Sequence, residues 1–127
     1  MTALLIYAWL NVSQSRLNPS QWRPVEITVY DARYDGRMTA SGTVYRHRTA
    51  RTAATTSRGA YNRPQAPFGS VWEVRYKGRT VRVTIDDTGS HRPRGAAIWL
   101  DLSGRAWREL TSGAKPTRFI AFARRRR

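Results

Sequence analysis

The clearest pattern of hydrophobic and polar positions lies in the segment SVWEVRYKGRTVRVTI, residues 70–85, where the two kinds of residue alternate in two runs. Each run has the period of two that is typical of a β-strand with one buried face. The dipeptide Lys77-Gly78 separates the runs and predicts a tight turn. The segment therefore predicts a β-hairpin in which Trp72, Val74 and Tyr76 share the inward face.

Two further segments predict strands, one near each end of the chain. Residues 25–30, VEITVY, alternate and place Glu26, Thr28 and Tyr30 on the face away from the apolar residues. Residues 117–123, TRFIAFA, are apolar on both faces, which predicts a buried final strand.

The intervening segments contain turn residues and arginines. Residues 43–66 hold no acidic residue and five arginines, and they predict a long basic loop with one strand around TVYRH, residues 43–47. The segment DDTGSHRPRG, residues 86–95, is rich in Gly, Pro and Asp and predicts another loop. Short strands with frequent turns favour a small β-barrel.

A single short helix is predicted within AAIWLDLSGRAWREL, residues 96–110. Leu102, Ala106 and Leu110 follow one another at the helical spacing i, i+4 and i+8. Asp101 or Ser103 would cap the start of this helix through a side-chain oxygen.

The charge of the chain indicates what kind of partner it binds. The 127 residues, which suit one domain, carry a formal net charge of +15 from 23 basic and 8 acidic residues. All but two of the basic residues are arginines, which suit bidentate binding of phosphates and carboxylates. The sequence therefore predicts an anionic partner: nucleic acid, an acidic wall polymer or an acidic protein.

Other features exclude some classes of protein. The absence of cysteine excludes disulfides, thiolate catalysis and cysteine-ligated zinc, and we expect neither a metal nor a cofactor. Apolar runs stay well below the ~20 residues of a membrane span. ALLIYAWL, residues 3–10, is either an apolar arm that packs on the domain or a partner, or the core of a signal peptide.

Four segments resemble, in order, the rare lipoprotein A-like double-psi β-barrel family, which is related to expansins and to lytic transglycosylases. They are YDGRMTASG (34–42), APFGSVWEV (66–74), VRVTIDDTG (81–89) and WLDLSGRAWREL (99–110). The resemblance covers roughly residues 29–110. It implies a mainly β fold: a small six-stranded double-psi β-barrel with one short helix, here following an N-terminal arm. The expected divisions are an arm and linker at 1–24, the barrel at 25–123 and a basic tail at 124–127.

The resemblance also implies a shallow polysaccharide groove and, in active relatives, cleavage of peptidoglycan glycan strands without water. Asp87 and Asp101 match the family's acidic positions and are the candidate catalytic residues. Thr43 stands where the family has a glutamate, and a threonine cannot transfer a proton at neutral pH. The further candidate substrate-binding residues are Ser41, Thr43, Tyr34, Trp99, His91 and Arg63.

Each candidate also has a structural interpretation. Asp87 would cap a turn, Asp101 would cap the helix, and His91 would be a solvated loop residue. Asp86 is expected to face away from Asp87, because neighbouring strand residues point to opposite faces. The aromatic candidates, Tyr34 and Trp99 among them, would otherwise belong to the core.

Three functional hypotheses remain open, and the sequence does not decide whether the protein is an enzyme. The first is a peptidoglycan-directed protein of the cell envelope, either a lytic transglycosylase or a wall-binding relative with a degraded site. The second is a structural component of a phage particle or similar assembly, such as a tail, connector or decoration module, with other subunits as partners. The third is a non-specific nucleic-acid-binding protein.

Overall fold

The computed structural model describes residues 20–58 and 63–127, of which Arg63 is described by its backbone alone. Within these ranges lie seven strands, a 3-10 turn (Ala32–Tyr34) and one α-helix, α1 (Gly104–Thr111). The strands are β1 (Arg23–Val29), β2 (Thr52–Arg58), β3 (Arg63–Pro64), β4 (Val71–Tyr76), β5 (Arg79–Gly89), β6 (Ile98–Leu102) and β7 (Phe119–Arg125). Most of the predicted N-terminal arm, residues 1–19, lies outside the described residues.

Six of the strands close into a barrel. Their order is β2-β5-β4-β7-β1-β6, and β6 pairs with β2 to complete the circle, while the short β3 pairs only with β2. The pairs β1–β6 and β2–β5 are parallel, and the other pairs are antiparallel. Exchanging β1, β2 and β4 with β5, β6 and β7 reproduces the same set of pairings. This pseudo-twofold arrangement confirms the predicted mainly β fold, a six-stranded double-psi barrel with one short helix.

The core fills the inside of the barrel with the apolar residues that alternate along each strand. Val25 and Ile27 of β1, Val74 of β4 and Leu100 of β6 are fully buried. Trp72 is 4% exposed, which confirms that it faces inward. Helix α1 covers part of the core with a buried face that includes Ala106, Trp107 and Leu110.

The hairpin is present as the alternation predicted. β4 pairs with β5 through a turn in which Lys77 and Gly78 have φ angles of 47° and 80°. Positive φ at both central positions gives the turn the twist that suits two antiparallel strands.

The interpretation of residues 43–66 as one long loop is wrong. β2 and β3 lie in this segment, whereas TVYRH contributes only an isolated bridge between Val44 and Met38. The middle of β2, from Ala53 to Thr56, is buried on both faces. Its small side chains produce no alternation of large apolar and polar residues, so the pattern of hydrophobic positions does not predict this strand.

Two other boundaries differ from the predictions. β5 continues to Gly89, so the first four residues of the predicted loop 86–95 belong to a strand. Asp101 and Leu102 lie in β6, and Asp101 therefore does not cap the helix. Ser103 does so, since its side chain accepts a hydrogen bond from the Ala106 amide.

The final strand is present, but its predicted burial on both faces is wrong. Ala121 and Ala123 face the core, whereas Ile120 and Phe122 are 46% and 50% exposed. These two side chains lie on the outer face of the barrel. β7 also includes Arg124 and Arg125, so the first two arginines of the predicted tail are strand residues.

Candidate functional site

Polar side chains of β5, β6 and β1 lie in a row on the outside of the barrel, with Ala54 of β2 between the first two. Ala54 of β2 lies opposite Asp87 of β5 on one side and Asp101 of β6 on the other. Asp101 in turn lies opposite Thr28 of β1. The register between β2 and β5 shifts at this point, so Asp86 is the extra residue of a β-bulge. We call Asp86, Asp87, Asp101 and their hydrogen-bond partners the carboxylate site.

Asp101 accepts a short hydrogen bond from its neighbour on β1. The Thr28 hydroxyl donates to Asp101 Oδ1 at 2.6 Å and itself accepts from the Trp99 indole N–H at 2.8 Å. Burial raises the pKa of Asp101 to about 6, and the nearby charge of Asp87 acts in the same direction. The Thr28 hydrogen bond and the His91 charge oppose that rise. A carboxyl group with such a pKa can carry a proton in mildly acidic solution.

Asp87 has a different environment, with three hydrogen-bond donors. The Tyr30 hydroxyl donates to Oδ2 at 2.7 Å, and the Ala40 and Thr88 amides donate to Oδ1 at 2.8 and 2.9 Å. The three donors hold the Asp87 carboxyl group in a fixed orientation. The pKa of Tyr30 is raised by its burial and by this hydrogen bond, so its hydroxyl stays protonated and remains a donor.

Asp86 lies beneath the loop that contains TASG. Its Oδ2 accepts a hydrogen bond from the Thr43 hydroxyl at 3.2 Å, and its carbonyl accepts one from the Ser41 amide at 3.1 Å. The Thr39 and Thr43 hydroxyls lie 2.7 Å apart, so these side chains form a connected cluster. Burial raises the pKa of Asp86 to about 6. The structure therefore joins Thr43, the position where the family has a glutamate, to a carboxyl group through its side chain.

One edge of the site is closed by a buried carboxylate. Glu26 is fully buried, with His91 Nε2 2.7 Å from its Oε2 and Arg118 Nε 3.2 Å from its Oε1. The His91 ring packs against Trp99 at a centroid distance of 4.9 Å. Trp99 is only 6% exposed, so little of its ring remains for contact with a sugar.

The remaining predicted site residues are Ser41, Tyr34 and Arg63. Ser41 is exposed in the TASG loop. Tyr34 is half-buried in the 3-10 turn and packs edge-on against Tyr30 at 6.3 Å, with the Arg33 and Arg37 guanidinium groups over its ring at 5.1 and 5.2 Å. Arg63 lies in β3, and its side chain is outside the described residues.

Sequence reasoning missed three members of the site, namely Glu26, Thr28 and, as a hydrogen-bond donor, Tyr30. A signal for them was present, because the alternation of β1 places all three on the face away from the core. In residues 20–58 and 63–127, no group of three or more His, Asp or Glu side chains is arranged to hold a metal ion. Within the same ranges the structure contains no helix with the length and apolarity needed to cross a membrane.

Comparison with known proteins supports the fold. No family model and no curated protein matches the sequence. Among solved structures, Streptomyces papain inhibitor is similar over 84% of this chain and 96% of its own, with a TM-score of 0.60 and 24% sequence identity. At that identity the likeness concerns the barrel fold alone.

Proposed function

We propose that the protein is a peptidoglycan-directed barrel of the cell envelope, and that the carboxylate site is where the glycan binds. The observation that supports this most is the separation of two carboxyl environments in the site. Asp101 has a pKa raised to about 6, whereas Asp87 accepts three hydrogen bonds, from the Tyr30 hydroxyl and the Ala40 and Thr88 amides. Glycan cleavage uses such a division between a proton donor and a fixed negative charge.

The arrangement of the site favours Asp101 as the acid and Asp87 as the electrostatic partner. Protonated Asp101 would donate its proton to the glycosidic oxygen, and the bond to the anomeric carbon would break. The Asp87 carboxylate would stabilise the positive charge that develops on the sugar. Asp101 would then accept the proton of the sugar's own hydroxyl as that oxygen closes an anhydro ring. No water is consumed, and Asp101 regains its proton.

Thr28 has a supporting role in this scheme. Its hydroxyl hydrogen is directed to Asp101 Oδ1, because its oxygen already accepts from the Trp99 indole. The proton to be transferred therefore belongs on Asp101 Oδ2. The site would be active below about pH 6 and would lose activity as Asp101 ionises.

A digestion of purified sacculi tests the enzymatic form of the proposal. We expect soluble fragments whose reducing ends are anhydro sugars, detected by mass spectrometry, and we expect Asp101→Asn to abolish them while binding to sacculi persists. Asp31→Asn, which changes an exposed carboxylate outside the site, is the matched control. If the unaltered protein sediments with sacculi and releases no fragments, it is a wall-binding relative. If it neither binds nor cleaves, the proposal is wrong.

The variant Thr43→Glu tests whether the missing carboxyl group limits turnover. It places an acidic side chain where the resembled family has a glutamate. In the unaltered protein the Thr43 hydroxyl donates a hydrogen bond to Asp86, so the new carboxyl group would lie beside Asp86. We expect at least a tenfold increase in fragment release over the unaltered protein, where general acid–base catalysis typically contributes about 10² to 10⁴-fold. Thr43→Gln, which has the same size without the carboxyl group, should show no increase.

A second candidate function is the binding of a protein, either as a subunit of an assembly or as an inhibitor. Two observations favour it: Ile120 and Phe122 are exposed on the outer face of β7, and the similar solved structure is named as an inhibitor of papain. A papain assay with increasing amounts of the protein tests the inhibitor form, and sedimentation tests self-assembly. Full protease activity together with a monomeric mass would argue against this function.

A further inference from the structure

A second charged surface lies on the part of the barrel formed by β4, β5 and β7, and the carboxylate-site chemistry does not use it. Across these strands, Arg82 lies opposite Glu73, and Glu73 lies opposite Arg124. Next to them is a cleft of about 330 Å³ lined by Ser20 and by the four arginines at 124–127. We call this surface, together with Arg82, the arginine cleft.

The arginine cleft keeps a positive excess despite its one carboxylate. Arg124 hydrogen-bonds Glu73 at 2.8 Å, and this hydrogen bond is the largest cause of the lowered pKa of Glu73. Arg126 and Arg82 approach the same carboxylate at 3.6 and 3.8 Å, which is longer than a good hydrogen bond. One negative charge is therefore shared by three guanidinium groups, and the outer two retain N–H donors for a ligand.

Trp22 also belongs to this surface. The guanidinium carbons of Arg75 and Arg124 lie over its ring at 4.0 and 4.6 Å from the centroid. These cation–π contacts hold both arginines against the barrel. Since the ring is already in contact with two side chains, we do not expect it to stack on the base of a nucleotide. The surface therefore offers charge and guanidinium donors to an anionic ligand.

We propose that the arginine cleft binds a phosphodiester-linked polymer through its phosphate groups, independently of what the phosphates connect. Guanidinium groups match the oxygens of a phosphate in pairs. Arg82 and Arg124 lie on either side of β4, about 10 Å apart at the usual strand spacing of about 4.8 Å, and alternate residues of one strand lie about 6.8 Å apart, so a chain of regularly spaced anions meets several arginines at once. Nucleic acid and a polyol-phosphate wall polymer share this chemistry. The proposal does not depend on the carboxylate site or on cleavage of glycan.

The test compares two variants that each lose three exposed arginines. The cleft variant is R82Q/R126Q/R127Q and the control variant is R46Q/R48Q/R58Q, so both have the same net charge. All six side chains are exposed, and circular dichroism verifies that both variants fold. Binding to a mixed-sequence single-stranded DNA oligonucleotide and to poly(glycerol phosphate) is measured over a range of salt concentrations.

Each phosphate contact contributes about 0.7 to the slope of log affinity against log salt for a single strand. Loss of three contacts should therefore lower the slope of the cleft variant by about 2 and leave the control variant close to the unaltered protein. Equal loss in both variants would overturn the proposal, since binding would then follow net charge alone. Polyglutamate binding as tight as that of the phosphate polymers would also overturn it. A preference for the oligonucleotide or for poly(glycerol phosphate) supports the proposal and identifies the source of the phosphates.

Discussion

Replacing Asp101 by asparagine measures how much this buried carboxylate lowers the unfolding free energy of the barrel. The pKa of Asp101 is raised from 3.8 to about 6, chiefly by burial. The folded protein therefore holds a proton on this group more tightly than the unfolded chain does. Stability contributed by Asp101 is complete below about pH 3.8 and is lost as the pH rises through about 6.

The magnitude follows from the size of the shift. About two pKa units correspond to about 3 kcal/mol of unfolding free energy at neutral pH. The asparagine side chain would be uncharged at every pH, and its oxygen would still accept the Thr28 hydrogen bond. We therefore expect D101N to be about 3 kcal/mol more stable than the unaltered protein near pH 7.5, and within about 1 kcal/mol of it near pH 4.

Urea unfolding, followed by tryptophan fluorescence at the two pH values, provides the measurement. Asp87→Asn is the informative control, because an amide satisfies the three donors around Asp87 less well than a carboxylate does. It should be destabilising at neutral pH, the opposite sign to D101N. If D101N were destabilising near pH 7.5, or if its effect were the same at both pH values, Asp101 would not have the raised pKa on which the proposed acid depends.

Two further substitutions test the packing around the site and the helix. A Cβ atom at Gly89 would lie 2.8 Å from Trp99 Cη2, so Gly89→Ala must displace the indole. We expect urea unfolding to show a loss of about 1 to 3 kcal/mol in unfolding free energy, with a change in tryptophan fluorescence. An unchanged unfolding midpoint would mean that the ring is not held there. Ser103→Ala removes a hydroxyl group that accepts a hydrogen bond from the Ala106 amide and donates one to the Ala50 carbonyl. We expect a loss of about 1 to 2 kcal/mol in unfolding free energy, whereas a loss of only a few tenths would show that water replaces both bonds.

The sequence predicts those parts of the fold in which a single strand has one buried face. The hairpin, β1 and the buried helix face at Ala106 and Leu110 all follow from periodicity. β2 does not, because the small residues Ala53–Thr56 are buried on both faces and give no alternation of apolar and polar positions. Burial of the outer face of a strand depends on residues distant in sequence, so the strand itself carries no local signal of it.

The sequence predicts the two central residues of the carboxylate site better than it predicts how they are arranged. Asp87 and Asp101 were proposed from the resemblance, and the structure brings them to either side of Ala54. The bulge at Asp86 could not be predicted, because a register shift depends on the partner strand. For the same reason, the rule that neighbouring residues point to opposite faces did not anticipate the contact between Asp86 and Thr43. The burial that raises the pKa of Asp101 likewise depends on residues distant in sequence.

The pairing of the strands has a consequence for how the chain can be divided. Among the described residues, no two of β1, β2 and β4 pair with each other, and no two of β5, β6 and β7 do so. Each half of the barrel therefore obtains all the backbone partners of its long strands from the other half. A cut in the Lys77-Gly78 turn would give two fragments, 1–77 and 78–127. Among the described residues their only internal strand pair is that of β2 with the two-residue β3, so the six barrel strands would regain their barrel partners only when the fragments interleave. Recovery of β-strand structure on mixing the two fragments would therefore report their association.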